Sequence, residues 1–549
     1  MKMRKRAHLY AWTARYSRPW QILGRLVERV DRRPIRLPGL PPSLSVRLPE
    51  SATFIHHDAF SNFQDEFRGK FAFIGEAREL GDPPNWAAPG TSLLWRFNLH
   101  YFQYLHRLPP PLRARLCQHW ISRHPPGTQP AWHPFPTSLR IASWIRTRVD
   151  DQVILESLYA QSAFLHRHVE RHVDGNHVLE NARALIMAGR AFRGHGEAAA
   201  WEEHGLELLN EQLPEQVLSD GVHYERSPMY QSLLIWALLD VLGCLPRTHP
   251  DRAWIAKFAV DMARALEELL HPDGGIPLLN DSTEEIAPAP STLLHAVRKE
   301  AGSWDPDSGQ LSKFAESASG YYVSRGPEAF LVFDAGELGP PHLLAHAHAD
   351  LFSFELSLLG LRFVTDTGVH DYEEGPSRAY DRGTPAHNCL TVNRFDQAEV
   401  WGRFRVARRW SPREVRVERS SSRFTIEGRF DGFGELLGRG ISHHRRLILD
   451  HSTRSLKVVD DVEGRGQYVV ESRFHFHPEV TVVRSDDARS IVLERSGVGV
   501  TFASKGGSLE VSETEYHPRF GTTQTRKTVV VSTNRVPAQL EVELSWVRH

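Results

Sequence analysis

From about residue 90 to 300, apolar positions recur every three to four residues. VILESLYAQSAFLHRHV, VLENARALIMAGRAF, SLLIWALLDVLGCL and WIAKFAVDMARALEELL each repeat this spacing, and turn residues separate them. The pattern predicts a succession of antiparallel helices. A polar, Ser- and Gly-rich stretch at 302–320, GSWDPDSGQLSKFAESASG, then reads as a linker. Beyond it the period falls to two: GYYVSRG, AFLVFDAG, LRFVTDTG, NCLTVN, RRLILD, LKVVDDV, SIVLER, VGVTFAS and KTVVVST read as strands joined by short turns. The expectation is an α+β multidomain chain with a helical half followed by an antiparallel sandwich or layered sheet. We divide it into an accessory segment (1–90), a helical domain (91–310) and a β domain (311–549). Within the first segment, RPIRLPGLPPSL is too rich in proline for a helix. FIHHDAFSNFQDEFRGKFAFIGEARELG reads as small strands packed on the helical body.

Composition narrows the classes. A chain of 549 residues exceeds one ordinary core, and 41% hydrophobic with 24% charged residues describes a globular protein. The net charge of −1 argues against a nucleic-acid binder held by phosphate charge. Of the 66 basic residues only nine are lysine. Arginine forks suit carboxylate and sulfate ligands, although genomic codon bias produces the same excess. Cys117, Cys244 and Cys389 are too far apart for a metal or redox motif. The basic opening MKMRKRAHLYAWTARYSRPW lacks the apolar run of a secretory signal, and no stretch approaches the roughly 18 apolar residues of a membrane span. A cytoplasmic location is expected, with a non-standard export route open; nothing fixes an oligomeric state.

Four stretches place polar residues where the pattern calls for apolar ones. In HVDGNHVLENARALIMAGRAF a helix starts at DGN, with Asn176, His177 and Glu180 at its N-terminus, a place suited to an anion. A helix cap explains Asn176 equally well. In DGVHYERSPMYQ, Ser227-Pro228 reads as N-cap and N1, which puts Tyr230 in the first helical turn. The helix dipole and Arg226 would favour its phenolate, and helix packing is the plainer reading. In AHAHADLFSFEL, His346, His348 and Asp350 alternate, the period of a strand, and FVTDTG reads as a second strand carrying Asp366. SRAYDRGTPAHNCLTVN offers His387 before another strand. His348, Asp366 and His387 on neighbouring segments are a credible divalent-metal set, although isolated histidines are more often structural.

Together, GNHVLENA, DGVHYERSPMYQ, AHAHADLFSFEL with VTDTG, and TPAHNCLTVN resemble the heparinase II/III family of polysaccharide lyases, in the family's order over about 90–450. LLWRFNLHYFQYL and WHPFPTSLRIASWIR resemble its helical domain. The resemblance implies an incomplete (α/α) toroid followed by a layered antiparallel β-sheet domain. It implies β-elimination at a uronic acid of an anionic polysaccharide, with Asn176 neutralising the uronate carboxylate and Tyr230 and His346 transferring protons. His348, Asp366 and His387 would hold a divalent metal, zinc before manganese or calcium, with a mainly structural role. Asp350 would be a supporting carboxylate. Other residues expected to line the groove are His133, Arg140, His177, Glu180, Arg183, His223, Glu225, Asn280, Asp281, Tyr380 and Arg382, with Trp132 and Trp401 as sugar-stacking rings; core packing explains Trp132 at least equally well, and bridging of helices is open for Arg140. Glycosaminoglycans, alginate and bacterial exopolysaccharides all satisfy this chemistry. A metal-dependent glycan hydrolase and a non-catalytic polysaccharide-binding or assembly protein are the competing functions.

Overall fold

The computed structural model describes residues 2–548 except 31–36, 38, 42, 50–51, 58–68, 305–316, 439 and 488. Most of the expected linker, all of FIHHDAFSNFQDEF after its first four residues and much of the proline-rich stretch therefore lie outside the described residues. Two helices precede them, α1 (Lys2–Tyr16) and α2 (Pro19–Val30), in a segment where the sequence suggested none. A small hairpin, Lys70–Phe73 with Glu76–Glu79, buries Phe71 and Phe73 against the helical body, as expected for that stretch.

The helical half consists of α3 (Leu93–Tyr101), α4 (Pro110–Arg123), α5 (Pro134–Arg146), α6 (Gln152–Arg167), α7 (Asn176–Ala191), α8 (Ala198–Gln216), α9 (Pro228–Cys244), α10 (Arg252–Leu269) and α11 (Pro290–Ala301). Packing pairs α3 with α5, α5 with α7, α7 with α9 and α9 with α11, while α4, α6, α8 and α10 form an outer tier. Position follows composition. The inner helices α5, α7 and α9 are buried nearly all round, and α9 reads PMYQSLLIWALLDVLGC with almost no polar face. Outer helices such as α10 bury only one stripe. Trp120, Trp144, Trp201 and Trp236 are buried between the tiers. Each indole removes roughly 150–250 Å² from water, on the order of 4–6 kcal/mol of transfer free energy.

The β half stacks three antiparallel sheets. One is a meander of Tyr321–Arg325, Ala329–Asp334, Phe354–Leu358 and Leu361–Val364. An eight-stranded sheet runs from Arg413–Arg419 at one edge to Thr481–Asp487 at the other. A third sheet joins Ser508–Tyr516, Gln524–Thr533, Val470–His475 and Leu390–Val392. Phe354, Leu356, Leu390, Leu447, Val458, Phe474, Val529 and Leu544 meet in their shared core. The helical ring followed by layered sheets agrees with the expected fold.

One local expectation fails. His346, His348 and Asp350 do not lie on a strand: 344–353 is irregular, and the strand starts at Phe354. Asp366 likewise follows its strand, Leu361–Val364, rather than riding on it. The backbone leaves the extended path at Phe352, whose φ is +67°. Alternation was a coincidence of a loop whose polar groups are held from outside it.

Candidate active site

The loop 344–353 meets the segment Asn280–Thr283 and the starts of α7 and α9 at the junction of the two halves. Asp281 is the hub. It is fully buried and accepts from His346 Nδ1 at 2.8 Å, His348 Nε2 at 2.8 Å and Arg378 Nη2 at 2.8 Å, with Arg378 Nη1 as a further donor. Burial raises a carboxyl, but the Arg378 guanidinium and the two imidazole bonds outweigh it and hold Asp281 well below the usual carboxylate range. The bond to Asp281 makes Nδ1 the protonated nitrogen of His346 and leaves Nε2 to take or give a proton. That Nε2 lies 3.4 Å from Glu225 Oε2.

Tyr230 sits in the first turn of α9, where the sequence put it. Ser227 Oγ caps the helix by accepting from the Tyr230 amide at 3.2 Å, and itself donates to the Asp281 carbonyl at 2.6 Å. The same serine therefore ties the tyrosine to the hub. The Tyr230 ring lies 4.2 Å from the His346 ring between centroids, and its hydroxyl is 3.3 Å from that of Tyr372. The expected phenolate is not favoured. Burial, then the Asp281 carboxylate, push the phenol up. Arg226 donates instead to the Glu337 carbonyl. Asn176 begins α7 as expected, and Glu225 accepts from its main-chain N at 3.0 Å and from Nδ2 at 3.2 and 3.3 Å. Gly175 makes this possible: with φ at +62°, a Cβ there would stand 2.3 Å from Glu225 Oε1.

Behind the hub lies a second cluster. With Nε2 bonded to Asp281, His348 turns Nδ1 inward, and His387, bonded through Nδ1 to Asp366 at 2.9 Å, turns Nε2 inward. Both inward nitrogens and Asp350 Oδ2 are buried without a hydrogen-bond partner. One ligand atom from each of His348, Asp350 and His387 can lie within 4.8 Å of the others, so this trio fits a cation. The trio differs from the expected set at one position: Asp350 Oδ2 lies with the two inward nitrogens, whereas Asp366 accepts from Nδ1 of His387. Burial pushes the Asp350 carboxyl up to about 6, against the pull of His387. Gly368 (φ +76°) allows the VTDTG turn to pass so close to His517 that a Cβ would meet its carbonyl oxygen at 2.2 Å.

The other predicted groove residues divide. Glu180 and Arg183 line a cavity of about 110 Å³ beside Tyr230, together with Tyr101, Phe135, Leu233 and Tyr372. His133 and His177 are partly exposed at the heads of α5 and α7, where each faces Glu170, at 3.7 and 3.2 Å. Burial works against it, but Glu170 raises His177 above the ordinary imidazole range. Glu225 stands between Asn176 and His346 as described. The rest do not face the cleft, and for Arg140 and Trp132 the structural alternative holds. Arg140 is fully buried, donating to Gln161, Thr137 and the His100 carbonyl, 4.1 Å over the Trp120 ring. His223 is buried on Gln216. Asn280 is a buried clamp that accepts from the His348 amide and donates to Arg226 O and Tyr321 Oη. Arg382 spends its donors on the carbonyls of Leu344, Ala347 and Gly402. Tyr380 lies beside Arg526, Trp132 is core, and Trp401 packs on Tyr10 of α1. Polar type alone cannot separate a residue that faces the cleft from one that braces it.

Sequence reasoning missed Tyr372, Arg378 and Phe404, whose rings and guanidinium stack around His346 and Asp281. It named Asp281 only among many groove residues. The one available signal was the polar run NDST following the apolar IPLL, and VHDYEEGPSRAYDRG offered too many polar residues to choose from.

Helical ring, layered sheets and a histidine–carboxylate–tyrosine cluster at their junction define a toroid-and-sheet architecture. The chain belongs to the heparinase II/III family: residues 118–299 match the heparinase II/III N-terminus and 310–547 the heparinase II/III-like C-terminal region. It is 26% identical over 260 residues to the heparin-sulfate lyase of Pedobacter heparinus, covering 44% of this chain and 39% of that protein. It is 28% identical over 271 residues to that of Bacteroides stercoris, covering 43% and 38%. These matches span less than half the length of either relative. Among solved structures, heparinase III superposes with a TM-score of 0.71 at 18% identity, over 98% of this chain and 90% of that one. A heparan sulfate lyase HepC mutant from Pedobacter heparinus gives 0.62 at 19%, over 92% and 86%. At such identities the superpositions establish the shared fold.

Proposed function

We propose that the chain is a polysaccharide lyase that cleaves a uronate-containing anionic polysaccharide, of glycosaminoglycan type, by β-elimination. The observation that carries this reading is the Tyr230–His346 pair, its rings 4.2 Å apart between centroids and tilted by 36°, with His346 backed by Asp281. The names of the relatives agree with it. The uronate C5 proton is weakly acidic while the adjacent carboxylate keeps its charge, so a donor at that carboxylate must take up charge as the proton leaves. Asn176, its amide plane set by Glu225, supplies that donor. His346 Nε2 accepts the C5 proton, the C–H electrons become the C4–C5 double bond, and the C4–O4 bond breaks. Tyr230, held protonated by its surroundings, gives its proton to O4. Transfer from the imidazolium to the phenolate resets the pair. The two rings are immediate neighbours, which suits an epimer whose C5 proton and O4 share a face, as in glucuronate. His177, raised by Glu170, adds positive charge near the head of α7.

The trio His348, Asp350 and His387 would hold a divalent cation, and two imidazoles with one carboxylate suit zinc. When bound, it supplies charge neutralisation to a dry site and stiffens the loop that carries His346. All three residues are at most 3% exposed, which leaves no approach for a metal-bound water to substrate and speaks against the hydrolase reading. The test is a panel of uronate polysaccharides followed by near-ultraviolet absorbance of unsaturated product. Saturated product, or full activity of Tyr230→Phe on every substrate cleaved, would sink the proposal. Metal analysis with a thermal melt before and after chelation tests the cation; an unaltered melt would remove it.

A further inference from the structure

The two helices ahead of the toroid have a face that the reaction does not use. A surface helix ordinarily turns its apolar stripe to the core. In α2 the reverse holds. Gln21 is fully buried, and Gly24 lies so near His172 that a Cβ there would stand 2.3 Å from the histidine's own Cβ. Arg18, just before the helix, bonds Asp174 and Glu215. The body-facing side is therefore polar and small. Trp20, Leu23 and Val27, spaced three and four apart, point away with Ile22 and Leu26 beside them, and all five are between 41% and 63% exposed. Charge follows the same segment. Residues 1–30 contain eight lysines or arginines and one acidic residue, Glu28, in a chain whose net charge is −1.

An exposed apolar arc on a helix in a segment rich in basic residues, with a tryptophan on the apolar side, matches the physics of an interfacial helix on an anionic bilayer. A protein partner needs shaped pockets for these side chains; a lipid surface needs only the arc and the positive charge. We infer that α1 and α2 form a docking surface for anionic membrane lipid, with α2 lying in the interface plane. No helix among the described residues is long and apolar enough to cross a membrane, so the attachment is peripheral. The same helices grip both walls of the cleft. Arg18 reaches Asp174, two residues before Asn176. Trp401 donates to Thr13 of α1 at 3.2 Å, in the segment that carries Phe404 beside His346. Docking would thus set the mouth of the cleft next to the lipid surface.

The experiment is co-sedimentation of the full chain with vesicles of an equal mixture of phosphatidylglycerol and phosphatidylcholine, against pure phosphatidylcholine vesicles, at low and high salt. The wild type is expected to sediment with the mixed vesicles, less so at high salt, and not with the neutral ones. The double variant Leu23→Glu/Leu26→Glu should lose roughly tenfold or more of that binding, with unchanged circular dichroism and unchanged cleavage of soluble substrate. Val27→Asn, a milder change on the same arc, should lose part of it. Three results overturn the inference: no sedimentation of the wild type with mixed vesicles; equal sedimentation of wild type and both variants; or a wild-type dimer by light scattering that the variants dissolve without any vesicle binding, which would assign the arc to a second copy.

Discussion

His346 and His348 stand two residues apart, share Asp281 and differ in almost everything else. His346 faces the cleft, with Tyr230 against its ring and Glu225 near its free nitrogen. His348 is sealed behind the hub, its free nitrogen among buried ligand atoms that lack partners. Burial lowers His348 to about 4, so it stays neutral and available as a ligand across the physiological range. In the proposed mechanism one carboxylate would thus serve two neighbours with different work, proton transfer on the open side and cohesion on the closed side. The lesson is that Asp281, rather than either histidine, is the group that both sides of this junction share.

That comparison can be broken at several points. The largest effect is expected on the open side: Tyr230→Phe and His346→Ala should each lower kcat by 10²–10⁴-fold, measured as unsaturated product, with little change in melting temperature. Asp281→Asn should strike both sides at once. Removing this charge leaves Arg378 buried without its counterion, at a cost of about 3–5 kcal/mol, and lets the His346 tautomer drift. A chemical denaturation curve and an activity assay should fall together; a variant that loses only one would disprove the coupling. On the closed side, His387→Ala should abolish bound metal and lower the melting temperature, while an assay well below that temperature retains most activity.

A smaller effect sharpens the contrast from the framework. Burial lowers His223 to about 4, against about 6.5 in an unfolded chain. The unfolded state therefore binds more protons between those values, so this residue's contribution is fully present above pH ~6.5 and is lost as pH falls towards 4. The share amounts to about 3 kcal/mol, and denaturation curves of His223→Gln should be flatter over that window. The least effect is expected from Trp401→Ala, which should leave KM unchanged because the ring packs on α1 rather than on sugar.

How much of this was legible depends on the range of the interaction. Helix α7 from Asn176 and helix α9 from Ser227-Pro228 follow from local rules, since a cap, a proline and a 3.6-residue period act within a few residues. So does the change from helices to strands after residue 320. The alternation of AHAHAD misled because period two says strand only where neighbouring strands pair with it, and among the described residues none pairs with 346–350. That Asp350 lies with the free nitrogens of His348 and His387, while Asp366 bonds Nδ1 of His387, was likewise beyond local reading. By itself, the sequence determined the order of domains, the helices that present Asn176 and Tyr230, and the residue types able to move protons or hold a cation. Only the tertiary structure decided that Asp281 joins two histidines, that Arg140, Arg382 and Asn280 brace rather than line the cleft, and that α2 turns its apolar side outward. The physical reason is that a side chain's role is set by what burial and hydrogen bonding leave unsatisfied on it, and those partners come from segments tens to hundreds of residues away.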